Sequence, residues 1–332
     1  MKKLLYTTLF VVAIAACKNN PADDKAKTIE QPAPPKYIQI SPEFSGDSAF
    51  AYVAAQCNFG PRVPSTIGHK LCADYLIKEL KKFADKVEIN GAPIKTFDGK
   101  THQCKNIIAS FNLKATKRIL LCAHWDTRPF ADQDEKDQDK PIDGANDGGS
   151  GVGVLLEIAR NLKLKPTEVG IDIILFDLED YGQPGESELE QMEDSYCLGS
   201  QYWAKNRHVK NYMPDYGILL DMVGAPDAQF TKEKGSVEFA PAVVEKVWAT
   251  AAKLGYTNFI DEPNTGIIDD HYYINTIAKI PVIDIVEYTK DKGVGDHFSH
   301  TWHKHTDNIK NISPFTLKYV GQTVMEVIYG EK

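Results

Sequence analysis

Hydrophobic positions along the chain follow two patterns, one typical of helices and one of buried strands. Residues 47–57, 69–83 and 149–163 carry apolar side chains at helical spacing. Residues 105–111 and 117–123 are instead short, continuous apolar runs. Such runs lack period-two alternation, which predicts strands that helices cover on both faces. The pattern predicts one α/β domain with a central, mostly parallel (mixed) and twisted sheet that is flanked by helices.

Four apolar runs end next to residues that bind metals or exchange protons. Because the carboxyl ends of neighbouring parallel strands meet at one edge of a sheet, these side chains are expected to converge. They are His124 and Asp126 after RILLCAH, Glu179 and Asp180 after IDIILFDL, Asp221 in YGILLDMVG, and Trp302 with His303 beyond IPVIDIVEY. Asp147, in the glycine-rich GANDGGSG, lies between the first two runs. The arrangement indicates a metal site of the hydrolase type.

Composition and charge narrow the class of protein. The 332 residues are 42% hydrophobic, which is enough to bury the core of one large catalytic domain. The net charge is -8, so the chain has no general basic field that would attract nucleic acid. Two acidic stretches, 129–147 and 181–203, interrupt the strand and helix pattern. They are predicted to be loops or partial helices that border a pocket or are simply solvated.

The first residues predict export. Two lysines precede the apolar run LLYTTLFVVAIAA, which is too short to span a bilayer and ends at Cys17. The sequence IAAC resembles a bacterial lipobox, and a plain secretory signal is the alternative. We therefore expect a lipoprotein-type signal peptide at 1–17, a disordered tether at 18–43 and the catalytic domain at 44–332. The protein would be exported to the bacterial cell envelope and anchored to a membrane through a lipid on Cys17.

Five further cysteines show no spacing that is typical of a zinc site. Their number is odd and no CxxC pair occurs, so neither a thiolate metal site nor a complete set of disulfides is indicated. One or two disulfides are compatible with an oxidising envelope, and the sequence leaves their pairing open. The residues are Cys57, Cys72, Cys104, Cys122 and Cys197.

Asp147, Asp180 and His303 are of the donor types that a catalytic zinc site uses, namely three histidine or carboxylate ligands and one open position. Asp147 precedes a predicted helix, so helix capping is its alternative role. The pair Glu179–Asp180 can bind metal with one member and move protons with the other, or it can begin a solvated loop. His303 has other histidines nearby, which is also typical of a polar surface loop. Trp302 beside it favours a pocket wall.

Six motifs occur in the order seen in the zinc aminopeptidase-like family, and the chain resembles that family from about residue 48 to 328. Within it, LD-x-x-GAP, DDH and Phe-x-x-x-Trp-His resemble the glutaminyl-peptide cyclotransferases of animals and their bacterial relatives. The motifs are HWD at 124–126, GANDGGSG at 144–151, FDLED at 176–180, LDMVGAP at 220–226, DDH at 269–271 and WHKHTDN at 302–308.

The resemblance implies one zinc ion per chain, held by Asp147, Asp180 and His303, with Glu179 as general acid and base. It also implies aminoacyl transfer: an N-terminal glutamine of a peptide or protein is converted to pyroglutamate, and ammonia is released. The alternatives are an exported two-zinc aminopeptidase and an inert lipoprotein that binds peptide ends. The physiological substrates and the oligomeric state stay open.

Two further acids matter for the choice between cyclase and peptidase. Asp221 and Asp269 match the acidic residues that share a hydrogen-bonded network with the catalytic glutamate of cyclases. In two-zinc aminopeptidases the positions of His124 and Asp221 bind a second metal instead. His124 and Asp126 are therefore expected either to bind a second metal or to support the first set of ligands.

The resemblance also implies the substrate contacts, with some departures from the animal enzymes. Phe298 and Trp302 match the family pattern and are expected to pack against the glutaminyl side chain. Ile268, a third expected contact, stands where the animal enzymes have a polar residue. Asp180 replaces a glutamate, and the tryptophan that follows the carboxylate pair in animal cyclases is missing from YGQPGES. Aspartate is nevertheless a competent zinc ligand.

Overall fold

The computed structural model describes residues 37–291 and 295–332, with side chains at 289–296 excepted. The compact unit runs from Tyr37 to Lys332. The predicted signal peptide, Cys17 of the lipobox and most of the predicted tether lie outside the described residues. In the part that is described, no helix is long and apolar enough to span a bilayer.

Twelve strands and eight α-helices are described, together with a π-helical turn at Ile274–Ala278 and a 3-10 turn at Ile309–Asn311. The helices are α1 Gly46–Cys57, α2 Ile67–Phe83, α3 Gly149–Leu164, α4 Leu198–Lys205, α5 Lys234–Phe239, α6 Pro241–Leu254, α7 Asp270–Tyr273 and α8 Pro314–Tyr329. The strands are β1 Lys86–Asn90, β2 Pro93–Lys95, β3 Thr101–Gln103, β4 Asn106–Phe111, β5 Arg118–His124, β6 Gly170–Phe176, β7 Tyr216–Asp221, β8 Phe230–Lys232, β9 Phe259–Pro263, β10 Val282–Val286, β11 Tyr288–Asp291 and β12 Gly295–Phe298.

The central sheet is mixed, as predicted. Its six strands lie in the order β1-β4-β6-β5-β7-β10. Strands β6, β5, β7 and β10 are mutually parallel, whereas β4 runs antiparallel to both β1 and β6. The chain visits β5 first, then β6 on one side of it and β7 on the other. The connections therefore leave β5 in opposite directions, and a crevice forms beyond the carboxyl ends of these strands.

Both faces of the sheet are buried, which explains the continuous apolar runs. Within β5, Ile119 and Leu121 belong to the core cluster that includes side chains from α1, α2, α3, α6 and α8. Leu120 and Cys122 belong to the cluster on the other face, with Trp203 of α4. Successive residues of a strand point to opposite faces, so a strand covered twice must be apolar at every position. The prediction of a sheet flanked by helices is confirmed.

Residues 37–43 belong to the predicted tether, and in the structure they contact α8. Tyr37 donates a hydrogen bond from its hydroxyl to Glu326 of α8 at 2.7 Å. The backbone N–H of Ser41 donates to the same carboxylate at 2.9 Å, and that of Phe44 donates to Gln322 at 2.8 Å. Glu326 is buried, so these bonds compensate a carboxylate that would otherwise be costly to bury. Single hydrogen bonds hold this segment, while its isoleucines at 38 and 40 stay exposed.

The five described cysteines are free thiols. Four of them are fully buried, and Cys57 at the end of α1 is half-buried. The envelope disulfides that the sequence left open are therefore not formed among these residues. One of the thiols, Cys197, lies in the candidate site.

Candidate metal and active site

The predicted residues converge at the crevice beyond β5, β6 and β7. His124 and Asp221 are the last residues of β5 and β7, and Glu179 follows β6 by three residues. A cavity of about 290 Å³ opens there. Nine of the residues singled out from the sequence line it: Asp147, Glu179, Asp180, Asp221, Ile268, Asp269, Phe298, Trp302 and His303. Tyr196, Met222 and Ile267 complete the lining, and no pattern in the sequence singles them out.

Asp147, Asp180 and His303 form one group of possible metal donors. One ligand atom from each lies within 4.8 Å of the other two, and all three residues are buried. Nε2 of His303 is 3.4 Å from a carboxylate oxygen of Asp180 and 3.9 Å from one of Asp147. Two carboxylates and one imidazole around a common point are the donor set of a catalytic zinc site.

The burial of these residues decides between the roles that the sequence left open. Helix α3 begins after Gly148 and has no side-chain cap, so Asp147 is not its capping residue. Asp180 is only 1% exposed and does not begin a solvated loop. His303 is 4% exposed, whereas His300 and His305 in the same segment are exposed. The structure therefore removes the surface-loop alternative for His303.

Asp132 orients His303, although no sequence motif pointed to it. An oxygen of Asp132 lies 3.0 Å from Nδ1 of His303, which leaves Nε2 directed at the two carboxylates. Arg128 holds Asp132 through two bonds, at 2.9 and 2.6 Å. A carboxylate behind a histidine fixes the ring and its tautomer, as in many metal sites. Asp132 is one of several acidic residues in 129–147, and only its i, i+4 spacing from Arg128 distinguishes it from the others.

Two buried carboxylates position the backbone on either side of this group. Asp126 accepts the backbone N–H groups of Glu179 at 3.1 Å and of Asp180 at 3.2 Å. Asp307 accepts the N–H of Asn146 at 2.7 Å and that of Asp147 at 3.0 Å. Both oxygens of each carboxylate are used in this way. The structure thus gives Asp126 a supporting position, and Asp307 is a second supporting residue that the sequence did not reveal.

His124, Asp147 and Asp221 form another group of donors within 4.8 Å. Nε2 of His124 lies 3.0 Å from Asp147 and 3.2 Å from Asp221. Asp147 therefore belongs to both groups, and it turns one oxygen toward His124 and the other toward His303. A second metal would take this position. The sequence left open whether the site holds one metal or two, and the structure contains a donor group for each.

Asp269 lies close to Glu179, and the thiol of Cys197 contacts both. Sγ of Cys197 is 3.2 Å from Oε1 of Glu179 and 4.0 Å from Oδ1 of Asp269. The backbone N–H of Cys197 also donates to the carbonyl oxygen of Glu179 at 2.9 Å. The network that the resemblance implied around Glu179 is therefore built with Cys197, while Asp221 contacts His124.

Further acids are buried behind Asp269. His271 lies between Asp284, at 3.7 Å, and Glu233, at 3.1 Å. Burial, followed by the charges of Asp269 and Asp221, raises the pKa of Asp284 well above its ordinary value. Glu233 also accepts the N–H groups of Gly235 and Ser236 at the start of α5, and its pKa is lowered to about 2. Burial, the largest single effect, opposes that lowering, and the hydrogen bonds from His271 and Ser236 together with the charge of His271 outweigh it.

The site holds more negative than positive charge, and its pKa values reflect this. Burial, reinforced by Asp147, raises the pKa of Asp180 to about 6. Burial likewise raises the pKa of Asp221 to about 7. Burial also raises the pKa of Glu179 well above its ordinary value, and the neighbouring Asp180 and Asp269 add to the shift. A cation in the group would relieve this repulsion between buried carboxylates.

The backbone around the site is strained. Leu178, Cys197, Met222 and His303 all have φ between 48° and 57°, a region that side chains other than glycine rarely adopt. Each costs on the order of 1 kcal/mol and persists because the surrounding contacts fix it. Leu178 directly precedes Glu179, and Met222 directly follows Asp221. Strain that clusters at one cavity is typical of functional sites.

Aromatic side chains form one wall of the cavity. The rings of Trp302 and His303 are stacked with centroids 4.0 Å apart, and Phe298 lies 4.6 Å from Trp302. Ile268 at the rim is 64% exposed, so it offers an apolar surface to a ligand that enters. The wall keeps water from one side of the His303 imidazole and presents a flat surface to a substrate.

Comparisons with known proteins agree with this geometry. The model of Peptidase family M28 matches residues 106–328. The glutaminyl cyclase of Bacteroides thetaiotaomicron, solved with bound N-acetylhistamine, is 50% identical, with 88% of this chain and 100% of that chain covered and a TM-score of 0.84. A Zn-dependent exopeptidase from Parabacteroides distasonis is also 50% identical, with 87% and 99% covered and a TM-score of 0.84.

A relative from Drosophila melanogaster extends the likeness to animals. The glutaminyl-peptide cyclotransferase of that species is 29% identical over 58% of this chain and 53% of its own length. The chain thus spans about half the length of this relative. Both the family and the zinc-dependent neighbour point to zinc as the metal.

Proposed function

The chain belongs to peptidase family M28, and within that family we propose that it is a zinc-dependent glutaminyl cyclase. It converts the N-terminal glutamine of peptides or proteins to pyroglutamate and releases ammonia. One observation carries the proposal: the Glu179 carboxylate shares a cavity of about 290 Å³ with the Asp147, Asp180 and His303 group. The chain is also 50% identical to a glutaminyl cyclase over the whole of that protein's solved chain.

The residues present fit a zinc ion. Oδ2 of Asp180 is buried and has no hydrogen-bond partner among the described residues, which is costly unless a cation pairs with it. The donor set of two carboxylates and one imidazole is the type that catalytic zinc takes, with one position open. We propose Asp147, Asp180 and His303 as the ligands of one zinc per chain. Bound there, zinc would act as a Lewis acid toward the γ-carbonyl oxygen of the substrate.

Glu179 moves the proton in this reaction. The α-amine of the N-terminal glutamine attacks its own γ-amide carbon, so a C–N bond forms while the bond to the amide nitrogen breaks. The Glu179 carboxylate takes a proton from the attacking amine and gives it to the leaving nitrogen, which departs as ammonia. Both nitrogens are attached to the same carbon in the transition state, so one carboxylate reaches both. The S–H of Cys197 donates to Glu179 and holds it in place.

The aromatic wall selects and orients the glutaminyl group. Trp302 and Phe298 present flat apolar faces, and a planar amide packs against them at little cost in desolvation. Ile268 at the exposed rim contacts the residue that follows glutamine in the substrate. A five-membered ring closes only if the chain folds back on itself, and a small, walled cavity favours that compact conformer.

One experiment tests reaction and site together. The purified protein is assayed for ammonia release from a Gln-initiated peptide, with an Asn-initiated peptide as control, and its zinc content is measured by elemental analysis. The proposal expects ammonia and a pyroglutamyl product in equal amounts, with close to one zinc per chain. Zinc-loaded protein that releases no ammonia from any Gln-initiated peptide contradicts it.

A two-zinc aminopeptidase is the second candidate, and one observation favours it. His124, Asp147 and Asp221 also bring their donor atoms within 4.8 Å of one another. A second metal there would be held by His124, Asp147 and Asp221, and the reaction would be hydrolysis of an N-terminal peptide bond. Two metals per chain together with free amino acids as products would support this candidate over the cyclase.

We also propose that the protein is exported and held at a bacterial membrane through lipidated Cys17. The support is the sequence of residues 1–17 alone: a basic start, a short apolar run and IAAC. Expression of the wild-type chain and of Cys17→Ser in a bacterium, followed by membrane fractionation, tests the proposal. The anchor predicts that the wild type sediments with membranes and that the variant does not; equal sedimentation contradicts it.

A further inference from the structure

Glu179, Cys197 and Asp269 form a set of metal donors separate from the proposed catalytic ligands. One ligand atom from each lies within 4.8 Å of the other two. Sulfur is present here and absent from the Asp147, Asp180 and His303 group. We propose that this sulfur-containing set binds a thiophilic divalent cation, such as Cd²⁺ or excess Zn²⁺, and that the ion inhibits the enzyme by occupying Glu179. The inhibition rests on the proposed function, whereas the binding does not.

The spacing of the donors suits a tetrahedral ion. With Zn–S of about 2.3 Å and Zn–O of about 2.1 Å, a tetrahedron has S···O edges of about 3.6 Å. The two S···O distances in the structure, 3.2 Å to Glu179 and 4.0 Å to Asp269, lie on either side of that value. Small rotations of the two carboxylates would therefore complete the geometry, and a water molecule would supply the fourth ligand.

The charge at this point also favours a cation. Cys197 is fully buried and Asp269 is 5% exposed. Oδ2 of Asp269 is buried and accepts no N–H group among the described residues, while Asp284 shares a side-chain hydrogen bond with Asp269. Asp270, the next residue, is buried too, and it is among the charges that act on Glu179. Several buried carboxylates close together make a site in which an added positive charge is stabilised.

An ion can reach the set without unfolding of the protein. Glu179 and Asp269 both line the cavity, so the entrance is the one that the substrate uses. The thiol bonds to the ion as a thiolate, and its proton is released to solvent, so binding strengthens as the pH rises. Soft thiolate ligands favour Cd²⁺ and Zn²⁺ over Mg²⁺ and Ca²⁺, which prefer oxygen. Mg²⁺ and Ca²⁺ are thus expected not to inhibit.

A simpler role for Cys197 is that its S–H only donates a hydrogen bond to Glu179. Replacement by serine separates the two roles. Cys197→Ser keeps a donor of similar size, but it removes the soft ligand. Cys57→Ser is the matched control, because Cys57 is a half-buried thiol at the end of α1 and does not belong to this set of donors.

The test is a titration of the zinc-loaded protein with CdCl₂. A thiolate bound to cadmium gives a charge-transfer absorption in the near ultraviolet, and oxygen and nitrogen ligands give none. The wild type and Cys57→Ser should gain this band with one Cd²⁺ per chain, while ammonia release from a Gln-initiated peptide falls in parallel. In Cys197→Ser the band should be lost, and the Cd²⁺ concentration that halves its own basal rate should rise at least tenfold.

Each other result counts against the proposal. A wild-type protein without the band, or a Cys197→Ser variant with an undiminished band, overturns the site. Loss of the band without a change in Cd²⁺ sensitivity overturns the inhibition. If the protein shows no cyclase activity at all, the proposed function fails, yet the band still decides whether the site exists. Circular dichroism checks that Cys197→Ser is folded, and Cys197→Ala replaces it if it is not.

Discussion

Glu179→Gln is the sharpest perturbation of the proposed mechanism. Glutamine has the shape of glutamate, so the variant keeps the packing against Cys197 and the backbone hydrogen bonds to Asp126. It lacks the carboxylate that accepts a proton from the amine. A positioned acid–base group contributes about 10²- to 10⁴-fold to the rate. We expect kcat to fall by that factor, about 2.7 to 5.4 kcal/mol of barrier, while KM changes little.

The assay follows ammonia release under saturating Gln-peptide, together with zinc per chain. Zinc should stay at the wild-type value, because Glu179 is not in the proposed ligand set. Glu188→Gln, at an exposed position in the same acidic stretch, is the matched control and should behave as wild type. A Glu179→Gln variant with kcat within threefold of wild type would refute the acid–base role. Loss of zinc from that variant would instead make Glu179 a ligand.

Three further predictions address the supporting residues, the pocket wall and the dependence on pH. Asp132→Asn should weaken zinc binding about 10- to 100-fold in a competition with a chelator, because the His303 ring loses its orienting carboxylate. Asp134→Asn should leave zinc binding unchanged, because the Asp134 carboxylate contacts exposed His305 and the backbone of Glu135 instead. Trp302→Ala should raise KM for Gln-peptides about three- to tenfold with a smaller change in kcat, and Trp302→Phe should raise KM less. An equal rise in KM for the two variants would contradict the stacking role. Burial raises the pKa of Glu287 from 4.5 to about 7. The stability that Glu287 contributes is therefore fully present below pH 4.5 and is lost as the pH rises through 7. The free energy of unfolding falls by up to about 1.4 kcal/mol per pH unit in that range. Glu287→Gln should therefore flatten the fall in the free energy of unfolding between pH 4.5 and 7, and an unchanged slope in urea titrations would contradict this account.

The fold was predictable because many residues together form the pattern of apolar positions that predicts its strands and helices. Strands β4 to β7 are apolar at nearly every position, since helices cover both faces, and α1, α2 and α3 repeat at helical spacing. The contacts of the segment before α1 were not predictable for the opposite reason. Residues 37–43 are held by a few hydrogen bonds to Glu326 and Gln322, and single contacts of this kind leave no period in a sequence.

The difference between patterns of many residues and single contacts also decides which site residues were predictable. Residues at strand ends, such as His124 and Asp221, are predictable because the topology itself brings those ends together. Asp132 and Cys197 come from the two acidic stretches, where the sequence shows many similar residues and no pattern that selects one. Their positions depend on the path of a loop, which Arg128 fixes for Asp132 and the αL conformation fixes for Cys197. Sequence therefore predicts the residues that the sheet positions better than those that a loop positions.

The number of metals depends on one ring nitrogen. Asp147 offers one oxygen to each donor group, so the fold can serve a one-metal or a two-metal enzyme without rearrangement. Nε2 of His124 is the donor that only the second metal would need. It already lies 3.0 Å from Asp147 and 3.2 Å from Asp221, and the backbone N–H of Gly148 donates to it at 3.1 Å. A second ion must displace the backbone N–H of Gly148 from this nitrogen, whereas an ion between Asp147, Asp180 and His303 would satisfy the unpaired oxygen of Asp180. The first metal therefore gains contacts that the second would have to break, and this difference favours one zinc and ring closure.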